Sequence, residues 1–263
     1  MNAGSAVPWD PVEYRASLGR RRRPIRDLAA QVPLAAPDRI TDLGCGPGNS
    51  MEVLAERWPD ARIEGVDSSP EMLAAARQAH PHRPLHLADI ASWAPPAAQD
   101  LLFSCSALHW LPDHETLLPR LLTGLRPGGV LAVQLSGNAR SPAHTLVREV
   151  AGEQPWRKIL NPRAPAPRLE PPDYRRILAP GARSVDVWET TYLQEMDGLA
   201  EIVASLRPTV LRSLARRLDR PLFTLFLAQY QQRLAELYPA QPDGKVIFPF
   251  RRIFMVAVRK PGR

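Results

Sequence analysis

Residues 39–134 alternate short apolar runs with amphipathic stretches, and the first four runs break off at Asp, Gly or Ser. Ile40-Thr41-Asp42-Leu43 is the first run and Arg62-Ile63-Glu64-Gly65-Val66-Asp67 the second. Leu85-His86-Leu87-Ala88 is the third and Asp100-Leu101-Leu102-Phe103-Ser104 the fourth. Val130-Leu131-Ala132-Val133-Gln134 is the fifth, after a turn at Leu125-Arg126-Pro127-Gly128-Gly129. Strands interleaved with helices at this spacing predict a mostly parallel sheet covered by helices. Residues 50–57 read as one such helix. Another opens at Ser68-Ser69-Pro70-Glu71, where Ser68 and Glu71 have capping-box spacing and Pro70 suits a first turn.

The pattern differs at the two ends. Residues 8–34 read as a helical lead-in with Trp9-Asp10-Pro11 as its start signal. Past the fifth strand, 143–151 is helical, 155–172 is a proline-dense irregular connection, and 174–178 is helical. Val185-Asp186-Val187-Trp188-Glu189-Thr190-Thr191-Tyr192 makes a sixth strand. Residues 197–238 then show helical leucine periodicity with breaks at Pro208 and Pro221, and Ile253-Phe254-Met255-Val256-Ala257-Val258 returns to strand. The expected organisation is a lead-in or lid over 1–36, a core over 37–192, a helical cap over 193–245, and a last core strand with tail over 246–263.

Chemistry enters at the end of the first strand. Asp42, Gly44, Gly46 and Gly48 stand at alternate positions between a strand and a helix. Glycine permits turns and close backbone approaches that a side chain would block. A glycine loop in this setting is where α/β folds receive a nucleotide-like cofactor. A dinucleotide fingerprint requires G-x-G-x-x-G, but here the third glycine falls one residue early and Asn49 takes its place. Asp67 ends the second strand about 20 residues further on, where a carboxylate reaches ribose hydroxyls in doubly wound folds.

The 263 residues suffice for one large domain or a domain with a cap, and no apolar run is long enough to span a bilayer. No secretory signal pattern opens the chain, and the two cysteines, Cys45 and Cys105, make no disulfide framework; both points predict a cytoplasmic location. Net charge is +7, with a run at Arg20-Arg21-Arg22-Arg23. That run suits a polyanion or, more plainly, a solvated helix face. It lacks interleaved aromatics, so no nucleic-acid partner is expected. No metal-ligand cluster, catalytic triad or carboxylate pair stands out, and His80, His82 and His86 read as surface histidines.

The D-x-G-x-G-x-G pattern resembles motif I of class I S-adenosylmethionine-dependent methyltransferases. Further segments narrow the resemblance: Asp67-Ser68-Ser69-Pro70-Glu71-Met72, Ala107-Leu108-His109-Trp110-Leu111-Pro112-Asp113-His114, Val185-Asp186-Val187-Trp188, Phe248-Pro249-Phe250-Arg251-Arg252-Ile253-Phe254, and Trp9-Asp10-Pro11 with Tyr14, Arg21, Arg23 and Pro24. Together they are similar to the trans-aconitate 2-methyltransferase family nearly end to end, least so over 155–172.

The resemblance implies a Rossmann-like α/β fold with a seven-stranded, mostly parallel sheet, helices on both faces and a helical cap inserted near the C-terminus. It implies S-adenosyl-L-methionine as cofactor, bound by Asp42, Gly44, Cys45, Gly46, Gly48, Asn49, Asp67, Ser68, Met72, Asp89, Ile90, Ser104 and Leu108. Asp89 and Ile90 would meet the adenine amine and face. A small anionic carboxylate is the implied acceptor, held by His109, Trp110, Tyr192, Arg207 and Arg251. Since strand neighbours face opposite ways, only one of Arg251 and Arg252 is expected to face the acceptor, Arg251 by preference. No catalytic base is required, because a carboxylate of pKa about 4 is already ionised. His109 and Trp110 serve positioning only. A monomer or small homo-oligomer is expected, with no metal and no membrane. Motif I alone leaves open a different small-molecule acceptor. A non-enzymatic polyanion-binding protein is the more distant alternative. An Asn/Asp-Pro-Pro-aromatic motif of base methylators is replaced here by Ser104-Cys105-Ser106-Ala107.

Overall fold

The structure, a computed structural model, describes residues 18–161, 169–207 and 210–262. Trp9-Asp10-Pro11, Tyr14 and Pro208 therefore lie outside the described residues. Seven strands form one sheet in the order β3-β2-β1-β4-β5-β7-β6. They are β1 (Arg39–Leu43), β2 (Arg62–Asp67), β3 (Leu85–Leu87), β4 (Gln99–Cys105), β5 (Leu125–Ser136), β6 (Ala182–Met196) and β7 (Val246–Arg259). β1 pairs in parallel with both β2 and β4, and the β2–β3 and β4–β5 pairs are parallel too. The chain thus winds outward from β1 in one direction, returns beside it at β4, and continues the other way. Such a reversal opens a crevice at the carboxyl ends of β1 and β4.

Two compact units divide the chain: Met1–Leu135 with Leu169–Glu189 and Ile253–Arg263, and Ser136–Arg168 with Thr190–Arg252. In the first unit, β4 is buried at every position, as an apolar run in a parallel sheet must be. Its core joins Leu43, Val66, Leu102 and Val133 from the sheet to Leu118 and Leu122 of α4 (His114–Thr123) and Leu178 of α7 (Pro171–Leu178). The helices α1 (Leu18–Ala30) and α2 (Asn49–Arg57) are joined by ion pairs: Arg22 reaches Glu52 at 2.9 Å and Glu56 at 2.6 Å, and Arg26 reaches Glu56 at 3.1 Å. Part of the basic run is therefore neutralised by carboxylates of the helix behind the glycine loop.

The second unit has its own core, in which Val147 of α5 (Pro142–Gly152), Trp156 of α6 (Trp156–Leu160), and Phe226 and Tyr230 of α10 (Arg220–Leu237) pack with Phe248. Trp156 meets Phe226 edge-on at 5.4 Å. Two shorter helices, α8 (Leu199–Leu206) and α9 (Arg212–Ala215), precede α10.

Several local expectations are corrected. Helix α3 (Pro70–Ala79) is capped by Ser69, whose hydroxyl accepts from Met72 N at 3.2 Å; the Ser68–Glu71 box does not form. The expected turn at 125–129 belongs to β5, because Leu125 already pairs with Gln99 and a bulge beyond that pair absorbs the glycines. The proline-dense stretch holds a helix at Trp156–Leu160, built on the buried Trp156. The break expected at Pro221 falls just before it, at 216–219, and Pro221 stands in the first turn of α10, where no proline N–H is needed. Arg251 and Arg252 lie inside β7, which begins several residues earlier than its apolar run at 253–258.

Candidate functional site

The glycine loop leaves β1 at the crevice. Gly44, Gly46 and Gly48 adopt φ of +73°, +54° and +96°, a left-handed region that costs other residues energy. A Cβ on Gly44 would also lie 2.1 Å from the Ala107 Cβ, so the loops after β1 and β4 meet there with no room for a side chain. Around Gly46 nothing lies within 4 Å of that position, so only the backbone demands glycine. Gly44 N and Cys45 N donate to Val66 O at 2.7 and 3.1 Å, and Gly46 N donates to Asp67 Oδ2 at 2.8 Å. Asp67 Oδ1 accepts from Ser69 N at 2.9 Å. The strand-end carboxylate expected to face ribose thus also braces the loop, and each oxygen keeps a lone pair for a further donor.

Asp42 is fully buried, and neither carboxylate oxygen has a hydrogen-bond partner among the described residues. Burial, then the charge of Asp67, raises its pKa to about 8; the nearby Ser50 hydroxyl opposes the shift without reaching hydrogen-bonding geometry. Asn49 Nδ2, at the start of α2 on the other side of the glycine loop, is buried and likewise without a partner among the described residues. A buried polar group left unsatisfied costs about 1–3 kcal/mol, so two at one loop mark a place where a ligand supplies the missing bonds. Cys45 is buried too, its thiol held protonated by burial and by Asp42 and Asp67.

At the other strand ends, Ser68 is exposed while Met72 and Ile90 are buried. Exposed Asp89 turns back to accept from Ala91 N at 2.8 Å. Arg120 of α4 donates to Ile90 O at 2.6 Å, to Ala91 O at 3.1 Å and to Trp93 O, fixing the segment after β3. Ser104 Oγ donates to Leu43 O at 2.8 Å, tying β4 to the end of β1. Leu108, His109 and Trp110 form one 3₁₀ turn, with Leu108 buried and Trp110 49% exposed beside the His109 ring. His114 Nε2 donates to Leu108 O at 2.8 Å and holds that turn. Gln134 Oε1 accepts from Ser106 Oγ at 2.8 Å and Cys105 Sγ at 3.1 Å.

The cofactor residues expected from sequence therefore all belong to the first unit and gather at the ends of β1 to β4. His109 and Trp110 lie in this unit as well; Tyr192, Arg207 and Arg251 belong to the second. There Tyr192 is buried, Arg207 is exposed at the end of α8, and Arg251 is half-buried in β7. Arg251 N donates to Asn138 Oδ1 at 2.7 Å, and Arg251 O accepts from Gly137 N at 2.9 Å. Arg252 instead lies over the Phe250 ring at 5.5 Å. Sequence reasoning missed Arg120, Gln134, Asn138 and His80. Each acts on residues far away in the chain, and none carries a local signal; the surface reading of His80 is corrected by its bond to Gly48 O at 3.0 Å. Among the described residues no group of three His, Cys, Asp or Glu side chains is placed to hold a metal, and no helix is long and apolar enough to cross a membrane.

Residues 40–129 match the model of a methyltransferase domain family. The chain is 48% identical to the trans-aconitate 2-methyltransferase of Azoarcus sp. (strain BH72), across 95% of this chain and 99% of that one. It is 45% identical to the protein of the same name from Variovorax paradoxus (strain S110), across 97% and 99%. Among solved structures, the YcgJ protein of Bacillus subtilis superposes with a TM-score of 0.55 at 14% identity, covering 94% of this chain and all of that one. Phosphoethanolamine N-methyltransferase 2 of Haemonchus contortus superposes at 0.51 with 17% identity, covering 92% of this chain and 53% of that one. These two likenesses speak for the fold alone.

Proposed function

The chain belongs to the trans-aconitate 2-methyltransferase family, and we propose that it transfers the methyl group of S-adenosylmethionine to a carboxylate of trans-aconitate, or of a close small polycarboxylate, giving a methyl ester and S-adenosylhomocysteine. The observation that carries this reading is the glycine loop flanked by the buried Asp42 carboxylate and the buried Asn49 Nδ2, neither with a hydrogen-bond partner among the described residues. They fit the cofactor: Asp42 is suited to its cationic part, Asn49 Nδ2 to an acceptor on it, and the open side of Gly46 to a close backbone approach. Asp67 has lone pairs left for ribose hydroxyls, and Ile90, Met72 and Leu108 offer apolar surface beside the strand ends. Ser68, Ser104 and Asp89 are assigned to the same cofactor. When bound, S-adenosylmethionine supplies an electrophilic methyl group on a sulfonium sulfur.

The acceptor carboxylate is its own nucleophile, so the protein need not remove a proton. Its work is to hold reactants in line, which can be worth about 7–11 kcal/mol, and to replace the hydration of a polyanion. Arginine suits the second task through paired, charge-assisted bonds to carboxylates. One charge pair at about 4 Å gains about 4 kcal/mol at an effective dielectric of about 20, before desolvation. We assign this role to Arg251, whose backbone is held on both sides by Gly137 and Asn138, with Arg207 and Tyr192 as further acceptor contacts. His109 and Trp110 would position the acceptor. The enzyme would act in the cytoplasm, in keeping with two free, buried thiols. Purified protein given labelled S-adenosylmethionine and a panel of carboxylic acids should methylate trans-aconitate most efficiently, with a label released by mild base as expected of an ester. Preferred turnover of another acid, a phenol or an amine would overturn the acceptor assignment.

A further inference from the structure

We propose that His80 is a positioning residue for the cofactor loop, setting the conformation of Gly48 from the far end of α3. The inference rests on the reading that the loop binds S-adenosylmethionine. Two observations carry it. The ring nitrogen Nε2 lies 3.0 Å from Gly48 O, and since a carbonyl only accepts, the ring presents Nε2–H there. The same ring fills the space a side chain at residue 48 would take: a Cβ on Gly48 would come within 2.4 Å of His80 Cδ2 and 2.6 Å of Nε2.

Gly48 occupies a junction. It caps α2 in a left-handed conformation, its N–H donates to Cys45 O at 3.0 Å, and its carbonyl also takes the first helical bond, from Glu52 N at 3.3 Å. His80 supplies a second donor to that carbonyl and a wall against its α-carbon. The loop is therefore braced at its base by Val66 O, in its middle by Asp67 and at its end by His80. Asp67 and His80 flank α3, which acts as a spacer of fixed length between the two braces. His80 is itself fixed, because it caps α3 through His80 N to Ala76 O at 2.8 Å. Asn49, whose Nδ2 has no partner among the described residues, directly follows the braced carbonyl, so the brace aims a group assigned to the cofactor.

The test compares wild type with His80→Ala and His80→Gln; a glutamine amide N–H lies the same number of bonds from the α-carbon as Nε2 and can restore the donor. Calorimetry with S-adenosylmethionine and S-adenosylhomocysteine and steady-state kinetics with both substrates are read alongside thermal melts. His80→Ala should raise the Kd and KM for the cofactor about 5- to 10-fold, leave kcat and the acceptor KM within about two-fold, and keep a cooperative melt; His80→Gln should recover at least half of the loss. Unchanged cofactor affinity in a folded His80→Ala protein would overturn the proposal. So would an equal loss in both variants accompanied by a collapsed melt, which marks a merely structural histidine. A wild-type protein that binds neither cofactor form strikes instead at the underlying reading of the loop.

Discussion

Asp42 enters the fold uncharged, because burial and the neighbouring Asp67 lift its pKa to about 8. An unfolded aspartate ionises at about 3.9. Between those values the folded state holds a proton that the unfolded state has lost. The resulting stability is complete below about pH 4 and declines as pH rises toward 8. In the ligand-free protein, Asp42→Asn should flatten this decline in denaturant titrations run across that range. With the cationic part of the cofactor against Asp42, binding favours the carboxylate and expels its proton. Calorimetry at pH 7 in buffers of different ionisation heat should therefore show proton release on binding of S-adenosylmethionine, and Asp42→Asn should abolish it. Gly137 offers a test of the acceptor assignment at the same scale. Its φ of −93° suits any residue, so alanine adds no backbone strain, only a methyl 2.9 Å from Arg251 Cγ. Gly137→Ala should raise the KM for trans-aconitate several-fold and leave the cofactor KM unchanged. Arg251→Ala should do the same more strongly. An altered cofactor KM in either variant would place Arg251 elsewhere.

Among the elements, α3 shows how a short helix is specified and used. Ser69 caps it, Pro70 opens it, and Met72, Leu73, Ala75 and Ala76 bury one face. Removing the cap with Ser69→Ala should cost about 1 kcal/mol, a fall in Tm of about 2–4 °C for a chain of this size. A larger loss would mean that Ser69 does more than cap. The sequence located nearly every element of the first unit because strand and helix periodicity are local properties. It placed the cap at Ser68 and not Ser69 because capping depends on one dihedral angle, and two adjacent serines offer the same side chain. It shortened β6 and β7 because polar residues such as Arg183, Glu195 and Arg251 sit within strands whose partners, not their own composition, extend them.

For the molecule as a whole, the net charge of +7 is what remains after every acid is counted, so ion pairs locate the arginines without lowering it. Arg22 and Arg26 face Glu52 and Glu56, Arg126 meets the buried Asp100, and Arg233 bridges Glu149 and Glu153. Binding of the cofactor product should stabilise the whole chain by mass action. At 100-fold excess over its Kd, S-adenosylhomocysteine contributes about 2.7 kcal/mol, a rise in Tm of about 5–10 °C. Absence of that rise would count against the cofactor loop as read here.

The sequence by itself determined the strand–helix alternation, the glycine loop and the acids at the strand ends. Those features depend on what each residue allows its own backbone or its near neighbours to do. Only the tertiary structure decided that the Asp42 carboxylate and Asn49 Nδ2 lack partners among the described residues, that His80 braces Gly48 across 32 residues of chain, that Arg120 clamps the segment after β3, and that Asn138 and Gly137 hold Arg251. Burial and long-range hydrogen bonds exist only once remote segments are packed, and no local pattern of side chains encodes which of them will meet.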